Sequence, residues 1–179
     1  MTAKYVFMAG IGNSEPDHWQ SLWARSTPGS VWVTPQSWSE PQRDDWVAAL
    51  VGAVRRVGES AVIVAHSLGC LATAEASADL RQLGVRGVFL VAIPDPASPR
   101  FPSCARGFKP AVACHMAVPA LVVASTTDPY AGLEYAEQTA QHWNSRFVSV
   151  GDKGHINLAS NLGEWEEGRR LLNDFVATL

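Results

Sequence analysis

The stretch Ala61-Val-Ile-Val-Ala-His-Ser-Leu-Gly69 decides the fold, because a run of β-forming residues leads directly into a small-His-Ser-Leu-Gly turn. In a nucleophile elbow, a serine stands at a strained strand-to-helix corner, and the residues two before and two after it must be nearly bare. Here those residues are Ala65 and Gly69. The stretch therefore predicts an elbow with Ser67 at its tip. The alternative is an ordinary strand end followed by a helix that begins with a serine cap.

The residues after Ser67 favour a helix. The segment 67–83 is rich in alanine and leucine and contains no glycine or proline after Gly69, and Gly84 is suited to end it. The positive end of a helix dipole beside Ser67 favours negative charge that develops on a tetrahedral intermediate. The pattern is thus typical of a site that stabilises an anion.

Length and composition indicate one globular domain spanning residues 1–179. Hydrophobic residues make up 47% of the chain, charged residues 17%, and the formal net charge is −3. A chain of this size buries roughly 70% of its unfolded surface without needing disulfides or a metal. The charge balance favours neither nucleic acid nor an anionic membrane as a partner.

The cysteines and the first residues indicate a cytoplasmic protein. The chain has three cysteines, at positions 70, 104 and 114, which is an odd number, and they lack the spacing of metal ligands. Both observations are typical of free thiols in a reducing compartment. The apolar run near the N-terminus is too short for a signal peptide or a membrane span and reads as a strand. We predict no metal and no cofactor.

Strand-like and helix-like segments alternate along the chain, mostly as continuous apolar runs and amphipathic stretches. The predicted strands are Tyr5 to Ala9, Val31 to Thr34, Ala61 to Ala65, Gly87 to Ala92, Ala120 to Ser125 and Arg146 to Val150. The predicted helices are His18 to Arg25, Asp44 to Val57, Ser67 to Leu83, Leu133 to Trp143 and Trp165 to Ala177. This alternation predicts an α/β fold, a three-layer sandwich around a six-stranded, mainly parallel sheet.

Chemistry-bearing residues follow three of these strands. Ser67 comes after the third strand, Asp128 after the fifth and His155 after the sixth, which is the chain order of an α/β-hydrolase triad. A nucleophilic serine needs a base of near-neutral pKa, and that imidazole needs a carboxylate on its other nitrogen. Asp95, which follows the fourth strand, competes for the acid role, but Asp128 is preferred because strand five is the usual site of the acid in this fold and its Asp-Pro turn directly follows an apolar run. Asp152 is too close to His155 along the same loop to be preferred.

The loop after the first strand is predicted to complete an oxyanion hole. An elbow supplies the amide of the residue after the nucleophile, here Leu68, and a second donor is needed. Gly10 and Gly12 allow a turn tight enough to aim the amide of Ile11 or Gly12 at the same point. A nucleotide site is disfavoured, since no third glycine opening a helix follows.

The walls of the site are predicted from two further segments. Residues 93–119 contain six prolines, too many for a helical lid, and a loop of this length is usually functional. Phe101 and Phe108 are candidates for an acyl pocket, although such aromatics often only anchor a loop. His18 and Trp19, near the first-strand loop, are the other candidates for lining the cleft.

Several blocks together resemble a known family across nearly the whole chain. The blocks are Gly12-Asn-Ser-x-x-x-His-Trp19-Gln, Asp45-Trp-x-x-x-Leu50, Ala65-His-Ser-Leu-Gly69, Ala124-Ser-x-x-Asp-Pro-Tyr130 and Gly154-His-Ile-Asn-x-x-Ser-Asn-x-Gly-x-Trp165. They are similar to the small serine hydrolases grouped with retinoblastoma-binding protein 9 and the YdeN-like bacterial proteins. The resemblance implies a compact α/β-hydrolase without a cap domain, with Ser67 as nucleophile, Asp128 as acid and His155 as base. Ala65 stands where many members have glycine.

The function expected from these features is hydrolysis of a small ester, thioester or amide through an acyl-enzyme intermediate. The partner would be a small acyl substrate. An alternative is a protein-interaction module on a hydrolase scaffold, since fold does not imply activity and the family name records a protein partner. Acyl transfer and peptide cleavage would use the same residues, so the sequence leaves them open.

Overall fold

The computed structural model describes residues 4–179, which contain a six-stranded sheet in the order β2-β1-β3-β4-β5-β6. All five neighbouring pairs are parallel. The strands are β1 Lys4–Met8, β2 Val31–Trp32, β3 Ala61–His66, β4 Gly87–Val91, β5 Ala120–Ala124 and β6 Arg146–Ser149. The strand order reverses between β1 and β3, and ligands of open parallel sheets bind past the carboxyl ends of the strands near such a point.

Within residues 4–179, six α-helices connect or follow the strands. They are α1 Trp19–Ser26, α2 Arg43–Val57, α3 Leu68–Glu75, α4 Ser77–Gln82, α5 Leu133–His142 and α6 Glu166–Val176. Two single turns of 3₁₀ helix lie at Ala111–Ala113 and Leu158–Ser160. Across residues 4–179, every helix is too short or too polar to cross a membrane.

Alternate side chains of each strand enter two separate cores. In β3, Ile63 packs with Trp46 and Leu50 of α2 on one face of the sheet. Val62 and Val64 pack on the other face, in the core that contains residues of α1 and α6. A strand buried on both faces must be apolar throughout, which explains the unbroken hydrophobic run. The predicted three-layer sandwich around a parallel sheet is confirmed.

The segment predicted as one helix over 67–83 is two helices that meet at Ala76. Thr73 Oγ1 donates to the carbonyl of Gly69, a contact that bends helices. At the start of the second helix, Ser77 Oγ accepts a hydrogen bond from the amide of Ala117 at 2.7 Å. The Ser77 hydroxyl thus ties the bend to a distant loop, a long-range contact that helix propensity does not report. Gly84, with φ of +72°, follows α4 as expected.

No cap domain covers the sheet in the described part of the chain. Between β4 and β5, one turn of 3₁₀ helix is the regular structure that residues 92–119 contain. Trp143 Nε1 anchors this segment by donating to the carbonyls of Ala111 and Cys114. Phe108 packs edge-on against Trp46, with ring centroids 5.9 Å apart. Phe108 therefore anchors the loop to the core.

Candidate active site

Ser67 lies at a strained corner between β3 and α3. Its φ of 53° and ψ of −126° place a residue with a side chain in a region that usually requires glycine. The Ser67 amide donates to the carbonyl of Val91 at 2.9 Å, which ties the corner to the neighbouring strand. Gly10 approaches from the end of β1, where an added Cβ would lie 2.8 Å from the Cβ of Ser67. The backbone is thus the sharp strand-to-helix turn that the sequence predicts.

The structure brings Ser67, His155 and Asp128 into one hydrogen-bonded series. His155 Nε2 lies 2.8 Å from Ser67 Oγ, and His155 Nδ1 lies 2.9 Å from Asp128 Oδ2. The side chains of His155 and Asp128 are 8% and 4% exposed. Because a carboxylate only accepts hydrogen bonds, Nδ1 carries the proton and Nε2 is free to accept one from the serine. This is the arrangement in which an imidazole removes a hydroxyl proton.

The other candidate acids are engaged elsewhere. The Asp95 carboxylate accepts a hydrogen bond from the amide of Ala97, and Asp152 accepts one from the Thr127 hydroxyl. Asp128 Oδ1 also accepts from the amide of Tyr130 at 2.9 Å. Asp128 therefore forms both a local turn and the contact with His155, and the turn fixes the direction of its carboxylate.

The oxyanion hole is predicted to use the amides of Ile11 and Leu68. Within residues 4–179, neither the Ile11 amide nor the Leu68 amide donates to a protein acceptor. The neighbouring Gly12 amide, the alternative donor, is occupied by the carbonyl of Trp38 at 2.9 Å. Ile11 and Leu68 both line the cavity in front of Ser67, which makes their amides the candidate donors for a ligand oxygen there.

A cavity of about 500 Å³ opens in front of the serine. Its lining combines apolar and polar residues. The apolar residues include Ile11, Leu68, Pro94, Phe101, Pro102 and Tyr130, and the polar residues include Asn13, Glu15, Asn157 and Asn161. Phe101 and Pro94 bring the predicted loop into the cavity wall. A volume of this size accommodates a small organic molecule.

His18 lines this cavity as expected, whereas Trp19 does not. His18 caps α1, and its Nδ1 accepts a hydrogen bond from the amide of Gln20 at 3.1 Å. Burial, reinforced by nearby His155, lowers the pKa of His18 to about 4, so the ring is neutral and carries its proton on Nε2. Trp19 is 1% exposed and packs between Trp23 and Trp165 beneath the site. Its size and the amphipathic pattern of α1 place it in the core.

His66 is a site residue that the sequence reasoning missed. It is the last residue of β3, lines the cavity, and is 5% exposed. Its ring lies between those of His18 and His155, at centroid distances of 5.0 and 5.1 Å. Burial lowers the pKa of His66 well below its usual value, and His155 and His18 act in the same direction. Its position directly before Ser67, where a polar residue interrupts an apolar strand, was the available signal.

The fold and the elbow together define an α/β-hydrolase, and comparisons with known proteins agree. A family model described as serine hydrolase matches residues 5–174. The chain therefore belongs to this serine hydrolase family. No curated protein sequence matches the chain.

Solved structures extend the similarity over the whole fold. A protein described as a YdeN-like hydrolase, from Pectobacterium atrosepticum, is 30% identical, with 99% of this chain and 92% of that chain covered and a TM-score of 0.85. The ydeN gene product of B. subtilis is 19% identical, with coverages of 98% and 100% and a TM-score of 0.78. An esterase from Rhodococcus is 14% identical, with coverages of 99% and 91% and a TM-score of 0.71. The two more distant proteins share the fold.

Proposed function

We propose that this serine hydrolase cleaves a small ester, thioester or amide through an acyl-enzyme intermediate on Ser67. The observation that carries the proposal is the contact of 2.8 Å between His155 Nε2 and Ser67 Oγ, with Asp128 on the opposite ring nitrogen. The size of the cavity favours a small acyl substrate as the partner, because about 500 Å³ leaves little room beyond a drug-sized molecule.

In the proposed first half-reaction, Ser67 Oγ attacks the substrate carbonyl carbon while its proton passes to His155 Nε2. The carbonyl oxygen becomes an oxyanion that the amides of Leu68 and Ile11 stabilise. Asp128 stabilises the imidazolium and keeps the ring oriented. The tetrahedral intermediate collapses, the bond to the leaving group breaks, and His155 returns its proton to that group.

In the second half-reaction, water takes the place of the leaving group. His155 removes a proton from the water as it attacks the acyl carbon, and the second tetrahedral intermediate is held by the same two amides. Collapse releases the carboxylic acid and returns the proton to Ser67 Oγ. An alcohol or amine that replaces water at this step would give acyl transfer with the same residues.

The test is active-site labelling with a fluorophosphonate probe, combined with hydrolysis of p-nitrophenyl acetate. Wild-type protein and Ser145→Ala, a serine before β6 at the other end of the sheet, are expected to react equally. Ser67→Ala and His155→Ala are expected to lose both reactions. Intact mass measured during turnover should increase by one acyl group, located on the peptide that contains Ser67.

Two results would contradict the proposal. If the probe labels Ser67→Ala as strongly as the wild type, Ser67 is not the nucleophile. Folded wild-type protein that neither labels nor turns over any short-chain ester, thioester or aminoacyl amide would instead favour the interaction module.

A further inference from the structure

Two side-chain donors lie beneath the loop that carries His155. Trp19 Nε1 donates to the carbonyl of Ile156 at 2.8 Å, and His66 Nε2 lies 3.0 Å from the carbonyl of His155 itself. A carbonyl oxygen only accepts hydrogen bonds, so the His66 ring carries its proton on Nε2. The consecutive carbonyls of His155 and Ile156 therefore both accept hydrogen bonds from residues far away in the sequence.

Both donors are buried residues of regular secondary structure. His66 ends the central strand β3 and is the residue directly before Ser67. Trp19 begins α1 and is buried in an aromatic cluster, with ring centroids 4.6 Å from that of Trp23 and 5.1 Å from that of Trp165. The main chain at His155 is consequently hydrogen-bonded to the same strand that presents the serine.

The backbone of Ile156 has an unfavourable conformation, which the two hydrogen bonds help to maintain. Its φ of 49° lies in the left-handed region, which is unfavourable for a β-branched residue by about 1–3 kcal/mol. Ile156 is fully buried. Such backbone persists only where the surroundings over-determine it, and the hydrogen bonds to the carbonyls of His155 and Ile156 supply part of that restraint.

The donors also stay neutral while His155 takes up a proton. Burial holds the pKa of His66 well below its usual value, and Trp19 does not titrate. The contacts that hold the loop therefore do not change with the protonation of the base.

We propose that His66 and Trp19 are positioning residues that hold the His155 main chain at the distance from Ser67 required for proton transfer. This inference rests on the proposed function. Neither residue takes a proton or contacts the reacting atoms in this role. Each acts through the placement of His155.

A matched pair of tryptophan variants tests the role of Trp19. Trp23 Nε1 donates to the carbonyl of Glu164 at 2.7 Å, so Trp23→Phe removes the same kind of hydrogen bond from the same aromatic cluster. Misplacement of a catalytic group by about 1 Å can cost up to about 100-fold in rate. We expect Trp19→Phe to lower kcat for p-nitrophenyl acetate about 10- to 100-fold with little change in KM. Trp23→Phe should stay within about twofold of wild type in both constants.

A conservative rescue tests His66. The amide of Gln reaches to about the position of His Nε2 and keeps a donor, whereas Leu has similar bulk and none. We expect His66→Leu to lose kcat and the rate of probe labelling in parallel, and His66→Gln to recover most of both. Urea unfolding reports stability separately. The downfield proton resonance of His155 Nδ1–H should broaden or shift in Trp19→Phe and His66→Leu, and match wild type in Trp23→Phe.

Each of these experiments has an outcome that would overturn the positioning role of His66 or Trp19. Equal losses of kcat in Trp19→Phe and Trp23→Phe, or equal losses in the Gln and Leu variants of His66, would overturn the positioning role while leaving the hydrolase intact. If Trp19→Phe does not fold, the His66 pair and the resonance decide alone. If wild type and Trp23→Phe are both inert towards the probe, the proposed function fails, and the positioning role fails with it.

Discussion

Gly69 lies in direct contact with Met8 at the end of β1: a Cβ added to Gly69 would lie 2.6 Å from the Met8 carbonyl oxygen. The same Cβ would lie 2.6 Å from the carbonyl oxygen of Ala9. Because both neighbours are backbone atoms, neither can rotate away. The elbow can close against β1 only if this residue has no side chain. Ala65, on the other side of the turn, faces no such restriction and is fully buried as alanine.

Gly69→Ala is therefore expected to destabilise the fold by about 1–3 kcal/mol, the usual cost of overpacking, and to lower the rate of probe labelling. Gly52→Ala is the control, since Gly52 lies within α2 and its nearest contact would be the flexible end of Arg56 at 3.8 Å. It should gain roughly 0.5–1 kcal/mol from helix propensity. Urea unfolding measures both, and an unchanged midpoint for Gly69→Ala would contradict the packing argument.

Asp128→Asn is expected to lower kcat for p-nitrophenyl acetate by about 10⁴-fold, because the amide no longer fixes the tautomer and charge of His155. Its stability should change little. Asp95→Asn and Asp152→Asn are the matched controls, since Asn retains an oxygen to accept the hydrogen bonds that each aspartate receives. Comparable loss of kcat in either control would reassign the acid.

Phe101→Ala should change which esters are cleaved, because Phe101 is a large apolar residue in the lining of the cavity. Removing this ring should lower kcat/KM for p-nitrophenyl hexanoate roughly tenfold more than for the acetate. Phe108→Ala is the comparison, since Phe108 packs against Trp46 instead of lining the cavity. It should reduce stability and leave the chain-length profile unchanged. A profile altered only in Phe108→Ala would assign the acyl pocket to the other end of the loop.

Folding stability should fall as the pH drops from about 6.5 towards 4, in part through His18. Burial lowers the pKa of His18 in the folded state to about 4, below its ordinary value of 6.5. Between pH 6.5 and 4 the unfolded chain binds a proton at this residue that the folded chain does not. The contribution of His18 to the free energy of unfolding is therefore fully present above pH 6.5 and is lost as the pH falls towards 4. The shift corresponds to a contribution on the order of 3 kcal/mol.

His18→Asn isolates this contribution, because asparagine keeps an acceptor for the Gln20 amide and does not titrate. Urea unfolding at a series of pH values gives the free energy of unfolding as a function of pH. Between pH 6.5 and 4, the slope of this curve should be smaller in His18→Asn than in wild type by the equivalent of about one proton. Absolute stability at pH 8 should also fall, since the ring contacts with Trp19 and His66 are lost. Identical slopes for the two proteins would show that His18 is protonated freely in the folded state.

The sequence predicted the features that depend on local pattern. A doubly buried strand must be apolar throughout, so β3, β4 and β5 could be recognised, and the elbow required small residues at 65 and 69. The order of Ser67, Asp128 and His155 on three strands followed from the same reading. Parallel strands end at the same edge of the sheet, which is why residues far apart in the chain could be expected together.

Other features depended on contacts that no local pattern encodes. The break of the helix at Ala76 reflects hydroxyl contacts, one of them to Ala117. Trp19 was expected in the cleft, but the indole packs beneath it. The sequence favoured Asp128 over Asp95 as the acid, but the distance between its carboxylate and His155 is set by the path of the chain.

By itself, then, the sequence determined a parallel α/β sheet, the elbow at Ser67 and the set of polar residues at the strand ends, because period, size and turn chemistry are properties of neighbouring residues. Only the tertiary structure decided how close the Asp128 carboxylate comes to the imidazole, which aromatic residues line the cavity and how His66 and Trp19 contact the His155 loop. These depend on hydrogen bonds of about 3 Å between residues 27 to 137 positions apart, and distances of that kind are fixed only when the whole core packs.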